Sequence, residues 1–273
     1  MKYYTILSIS IISVLVCSCK EKNQRTKVPN EEVIELLKNN DLNFHKITYK
    51  SEKGDEISDS LKALRNEGKL AQVFYKNNKG EIDQIRLTKI TSENKFFEIR
   101  VRELRKNVFS DIDYVEINCN ESKQLYARAL NRDQNVRQGL INNILQIDKL
   151  NSDTIISILD NCQWPKTKDE IESIWYIIQH GGTGKMAYYY PKFKNLVTLN
   201  LLEDSLMAKM EDRMLMYNGF PQIYGTQIAP PASFHEIEDV INVNKRRKEV
   251  GLCPIEQKAR SMGFEFKLND YLK

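Results

Sequence analysis

Ile171-Glu172-Ser173-Ile174-Trp175-Tyr176-Ile177-Ile178-Gln179-His180 decides how the second half of the chain is read. Ile171, Ile174, Trp175 and Ile178 fall at the i, i+3, i+4, i+7 spacing of one buried helix face, and polar Gln179-His180 close the run. The same periodicity marks neighbouring segments. Leu125, Ala129, Val136, Leu140, Ile144 and Ile147 lie along one stripe. Ile155, Ile158 and Leu159 mark a helix ended by Trp164-Pro165. Leu196 and Leu199 belong to another, and Leu206, Met210 and Met214 to one stopped by Asn218-Gly219. Phe220 to Ser233 is irregular, and Val243 to Val250 forms a closing helix before Gly251.

The first half has a different texture. Asn30 is expected to cap a helix with Glu31 and Glu32 in its first turn and Val33, Ile34 and Leu37 on its apolar face. A short helix starts near Ser58 and stops at Gly68. Gln72-Val73-Phe74-Tyr75 reads as a strand leading to the turn Asn77-Asn78-Lys79-Gly80. Ile85 and Leu87, then Phe97, Ile99 and Val101, alternate with polar residues, which predicts two further strands. The expected fold class is α+β. A small antiparallel N-terminal meander with helices (residues 31–120) precedes a mainly α-helical C-terminal domain (residues 121–273).

The 41 basic and 37 acidic side chains give a net charge of +4, or +3 without Lys2. Near balance and without a basic arm, the chain is not expected to bind nucleic acid. Cys119, Cys162 and Cys253 follow Cys19. Three is an odd number, so at most one intrachain pair forms. Cys162 with Cys253 is one option; three buried free thiols are the expectation.

Met1-Lys2, an apolar run from Tyr3 to Val16, and Val16-Cys17-Ser18-Cys19 resemble the signal and lipobox of a bacterial lipoprotein. Ser18 supplies the small residue at the cleavage edge, and the apolar run is shorter than the roughly 20 residues of a membrane-spanning helix. The resemblance implies a signal peptide over residues 1–18, acylation of Cys19, a polar tether over residues 19–30 and attachment to a membrane. Lys20-Glu21 resembles a surface-export signal of Bacteroidetes lipoproteins. The implied location is the cell envelope, at the outer membrane and exposed at the surface, with retention in the periplasm as the alternative.

Gly181-Gly182-Thr183-Gly184-Lys185 looks like a phosphate loop but departs from it. The required first glycine is Gln179, and Met186 replaces the Ser or Thr after the lysine. It reads as a turn between helices. His45, His180 and His235 lack partners at metal-ligand spacing, so neither a metal nor a cofactor is expected. Lys245-Arg246-Arg247-Lys248 is either a solvated helix face or an anion-binding run.

Polar residues that helix formation does not require remain. They are Asp133-Gln134 with Arg137, Gln179-His180, Asp212-Arg213, Gln222, Tyr224-Gly225-Thr226-Gln227, and Arg246-Arg247 before Gly251-Leu252. The Trp164-Pro165 step, Gln179-His180, Asp212-Arg213, Tyr224-Gly225-Thr226-Gln227 and Arg246-Arg247 before Gly251-Leu252 resemble an uncharacterised bacterial family, a domain of unknown function, over roughly residues 125 to 260. The family usually shows Ala at Gly181 and Asp at Asn244. The resemblance implies no activity.

From chemistry alone, His180 titrates near neutrality, with Asp212 to orient it and Tyr224 to fix a polar edge. Gln179, Arg213, Gln227, Arg246 and Arg247 suit an anionic ligand. The leading expectation is a binding or interaction module for an unidentified small molecule or protein. The alternative is a hydrolase or lyase of a small or envelope-derived anionic substrate, with His180 as acid and base. The same pairs equally serve to lock helices through buried hydrogen bonds.

Overall fold

The computed structural model describes residues 25–272. The signal, lipobox and Cys19 lie outside them. Two layers account for most of the chain. The N-terminal layer is a four-stranded sheet in the order β1-β3-β4-β2, built from β1 (Thr26–Lys27), β2 (Thr48–Lys50), β3 (Leu70–Lys76) and β4 (Ile82–Lys89). β3 pairs antiparallel with β1 and β4, whereas β2 joins the edge of β4 in parallel.

Helix α1 (Asn30–Lys38) buries Val33, Ile34 and Leu37. Pro29 is its N-cap and Asn30 its first helical residue, so the expected asparagine cap is displaced by one position. Proline fixes the entry dihedral where no backbone donor is needed. α2 (Asp59–Asn66) is capped as expected, with the Ser58 hydroxyl accepting from the Leu61 backbone N–H.

The third expected strand is a helix. Phe97, Ile99 and Val101 lie in α3 (Lys95–Leu104). Phe97, Val101 and Leu104, spaced i, i+4, i+7, pack on the sheet, while Ile99 and Phe96 pack on the helical layer. A helix buried on both faces has no single polar stripe, so its sequence alternates like a strand. Some of its polar side chains are paired inside. Glu98 accepts from the Gln72 backbone N–H and side-chain Nε2, and Arg102 pairs with Glu98 at 3.0 Å. Residues 31–120 and 121–273 therefore meet along α3.

The C-terminal layer contains α4 (Ser122–Arg137), α5 (Ile144–Asn161), α6 (Lys168–His180), α7 (Thr183–Thr198) and α8 (Asp204–Tyr217). Trp175, Phe193, Met210, Ile155, Ile156 and Ile158 of α5 and the isoleucines of α6 form its core. The expected stripe from Leu125 to Ile147 is broken. α4 ends at Arg137, Gly139 and Asn143 take positive φ, and Leu140 is 70% exposed. Gly181 and Gly182 form the α6–α7 turn, Thr183 to Lys185 are the first turn of α7, and Lys185 is buried with its Nζ on Asp111.

A third cluster joins the hairpin of β5 (Ile228–Ala229) and β6 (Ser233–Phe234) to α9 (Val243–Glu249) and α10 (Ile255–Ser261). α10, which is not among the expected helices, buries Ile255 and Ala259. No helix among the described residues is long and apolar enough to cross a membrane.

Cys119 and Cys162 form a disulfide between the start of α4 and the end of α5; Cys253 is free and exposed. This corrects the expectation of three buried thiols. Connectivity depends on tertiary proximity, which cysteine spacing does not encode. The bridge spans a sequence separation of 43. On the chain-entropy view, replacing both cysteines by serine should cost roughly 3–4 kcal/mol in denaturant unfolding. An unchanged midpoint would show that the bridge constrains nothing.

Candidate functional site

The site begins with a buried carboxylate. Asp212, on α8, is fully buried. Its Oδ1 accepts from the backbone N–H groups of Ile223 (2.8 Å) and Tyr224 (3.0 Å), and its Oδ2 from that of Thr226 (2.9 Å). Burial raises its pKa above the ordinary carboxylate range, against the opposing pull of those three donors. Gln222, also fully buried, accepts from Gln227 N–H and donates to the carbonyls of Gln227 and His235. Gly225 takes φ +64°, and a Cβ there would approach Ile237 and Ile255 to 2.8 Å, so the turn requires glycine.

Arginines from α9 clamp the turn from outside. Arg247 is 1% exposed and donates to the carbonyls of Cys253, Tyr224 and Gly225. Arg246 donates to those of Ile223, Glu238 and Asp239. The basic run on α9 is thus partly turned inward, not a wholly solvated face.

Two adjoining depressions flank Gln179 and Arg213. The larger, about 530 Å³, is lined by Gln179, Lys209, Arg213, Thr226, Gln227, Ile228, Arg247, Leu252, Cys253, Lys258 and Met262. It contains four cations and no carboxylate. Arg213 bonds only neutral oxygens, Gln227 Oε1 at 3.1 Å and the Gln179 carbonyl at 3.5 Å. None of the four cations has a carboxylate partner among the described residues. Burial lowers the pKa of Lys209, and Lys258 lowers it further. Burial likewise lowers those of Arg213 and Arg247.

The smaller depression, about 400 Å³, includes Glu103, Arg137, Asp148, Gln179, His180, Thr183, Arg213 and Tyr217. His180 Nδ1 lies 2.8 Å from Asp133 Oδ1, and Asp133 is fully buried. Arg137 binds Asp133 at 2.9 Å and Asp148 at 2.8 Å. The Nε2 of His180 makes no hydrogen bond among the described residues.

The expected residues therefore separate. Gln179 and Arg213 border both depressions, Gln227 and Arg247 the larger, and His180 the smaller. Asp212 does not orient His180; Asp133 does. Asp212 instead holds the irregular turn. Tyr224 lines neither depression, and burial beside Glu211 pushes its hydroxyl up to about 12. Arg246 is committed to backbone carbonyls. Lys209 and Lys258 were not singled out from sequence. Lys209 stands one turn before Arg213 on α8, a spacing that places both on one face.

A family model described as a family of unknown function, DUF6624, matches residues 122–269, more than half of the chain. The chain belongs to this family. No curated protein and no solved structure matches it. The match takes in α4 through α10, and so most of both depressions; Glu103 and Lys106, from the N-terminal layer, complete the rim of the smaller one.

Two substitutions separate the two aspartates. Asp212→Asn keeps one acceptor but turns an N–H₂ group toward a backbone N–H, and should lower stability by about 1–3 kcal/mol in thermal melts. Asp133→Asn should move the ¹⁵N NMR resonance of His180 Nδ1, because the ring nitrogen loses its carboxylate partner. A His180 Nδ1 resonance moved by Asp212→Asn and not by Asp133→Asn would reverse this assignment.

Proposed function

We propose that this protein is a lipid-anchored cell-envelope module that binds a small anionic ligand in the larger cleft. One observation carries the binding part: Lys209, Arg213, Arg247 and Lys258 converge on one concave site without a carboxylate among its lining residues. Partly or fully buried cations without a carboxylate partner leave a positive field that a carboxylate or phosphate neutralises. Ile228, Leu252 and Met262 add an apolar wall for the rest of the ligand.

The envelope part rests on the lipobox ending at Cys19, through which the membrane is the expected partner. The Cys119–Cys162 disulfide supports an oxidising compartment. A single acyl chain holds a protein only marginally, and several chains on one cysteine give retention.

A second reading, hydrolysis or lyase chemistry with His180 as acid and base, is favoured by the Asp133–His180 bond. The carboxylate fixes the ring through Nδ1 and leaves Nε2 for a proton transfer. Arg213, shared with the larger cleft, would hold an anionic part of the substrate beside it.

Two measurements test the proposal. In calorimetric titrations with glycerol 3-phosphate, Lys209→Gln and Lys258→Gln should each weaken binding about tenfold or more. Affinity should fall as pH rises through the lowered pKa of Lys209, starting below the usual lysine range of about 10.4. Binding insensitive to both substitutions would remove the cleft from consideration. In cells, Cys19→Ala should release the protein from membranes and abolish incorporation of labelled palmitate; continued labelling of that variant would sink the anchor.

A further inference from the structure

Gln179 stands between the two depressions and is 7% exposed. Its backbone carbonyl accepts from Arg213, but its carboxamide makes no hydrogen bond among the described residues. Oε1 is sealed from water without a partner. A buried acceptor left unmade destabilises the fold, and native side chains in this state ask for an explanation. The carboxamides and the carboxylate that hold the turn beside it are all used. Gln222 bonds at both ends of its amide, Gln227 bonds Arg213 and the Lys209 carbonyl, and Asp212 takes three donors. Beside Gln222, Gln227 and Asp212, Gln179 is the carboxamide left uncommitted.

We infer that the ligand of the cationic cleft carries a hydroxyl or amide N–H close to its anionic head, and that Gln179 is the residue that reads this donor. The inference rests on the anion-binding reading of the cleft and narrows it to one ligand class, polar anions with a donor beside the charge. The geometry supplies both halves of the recognition. Arg213 is fixed against the Gln179 carbonyl, so a head group held by Arg213 and Lys209 brings its neighbouring substituent to the Gln179 carboxamide. Free at both ends, the amide turns about its last torsion to present oxygen to that substituent. A site that hydrogen-bonds a ligand hydroxyl rejects the analogue lacking it, because the buried group is then left unpaired.

Paired ligands test this by calorimetry on the mature protein. Glycerol 3-phosphate is compared with propyl phosphate, and glycerate with propionate; the two pairs distinguish a phosphate head from a carboxylate head. The expected result is at least tenfold tighter binding of the hydroxylated member in one pair. Gln179→Met, close in size but without the acceptor, should erase that preference by weakening the hydroxylated member far more than the plain anion. Its ligand-free melting temperature should equal or exceed that of the parent, because no hydrogen bond is lost. Equal binding within both pairs would overturn the inference while leaving the anion cleft standing. Equal weakening of both members by Gln179→Met would also overturn it, as a purely packing effect. Binding of none of the four would overturn the cleft reading itself, and the inference with it.

Discussion

The carboxylate of Asp212 is the interaction on which the cleft depends. The segment from Phe220 to Gln227 is neither helix nor strand, and apart from a single β-bridge at Gln222 its backbone donors have no ladder to satisfy them. Buried donors require partners. Asp212 supplies three from a rigid helix, Gln222 closes the turn on itself, and Arg247 caps the carbonyls that point the other way. An irregular segment is thereby held as firmly as a secondary element. Thr226 and Gln227 face the cleft because the backbone beneath them cannot shift.

Charge is distributed unevenly around this frame. α8 carries Asp212 toward the turn, while Lys209 and Arg213, one helical turn apart, face the cavity. The acids that balance nearby cations lie on the far side of Gln179, where Asp133 and Asp148 share Arg137 and His180. The larger cleft is left with cations alone. Carboxylate-rich and cation-rich compartments thus stand side by side, divided by Gln179 and Arg213. A ligand reaching across that divide would contact both the anion-binding groups and the imidazole.

Much of the helical layer was legible in the sequence, and the reasons are specific. α6 and α8 bury one face and wet the other, so Ile171, Ile174, Trp175 and Ile178, or Leu206, Met210 and Met214, announce their period. α3 does not, because sheet and helices take opposite faces and Glu98 and Arg100 are buried between them. The polar cluster was visible as an excess of residues that helices do not need, but its pairings were not. Asp212 and Asp133 are equally distant in kind from His180 when read along the chain; only folding places Asp133 at 2.8 Å. Lysines are solvated by default, so Lys209 and Lys258 carried no signal. The partner of Cys162 was hidden for the same reason as that of His180.

The central claim is that the Lys209–Arg213–Lys258 cleft is an anion site. A crystal structure of the protein saturated with a phosphate monoester tests it most directly. The account predicts the phosphoryl oxygens within hydrogen-bond distance of Lys209 and Arg213, with the organic portion against Leu252 and Met262. A ligand bound elsewhere on the molecule, with this cleft empty at the same concentration, would contradict it.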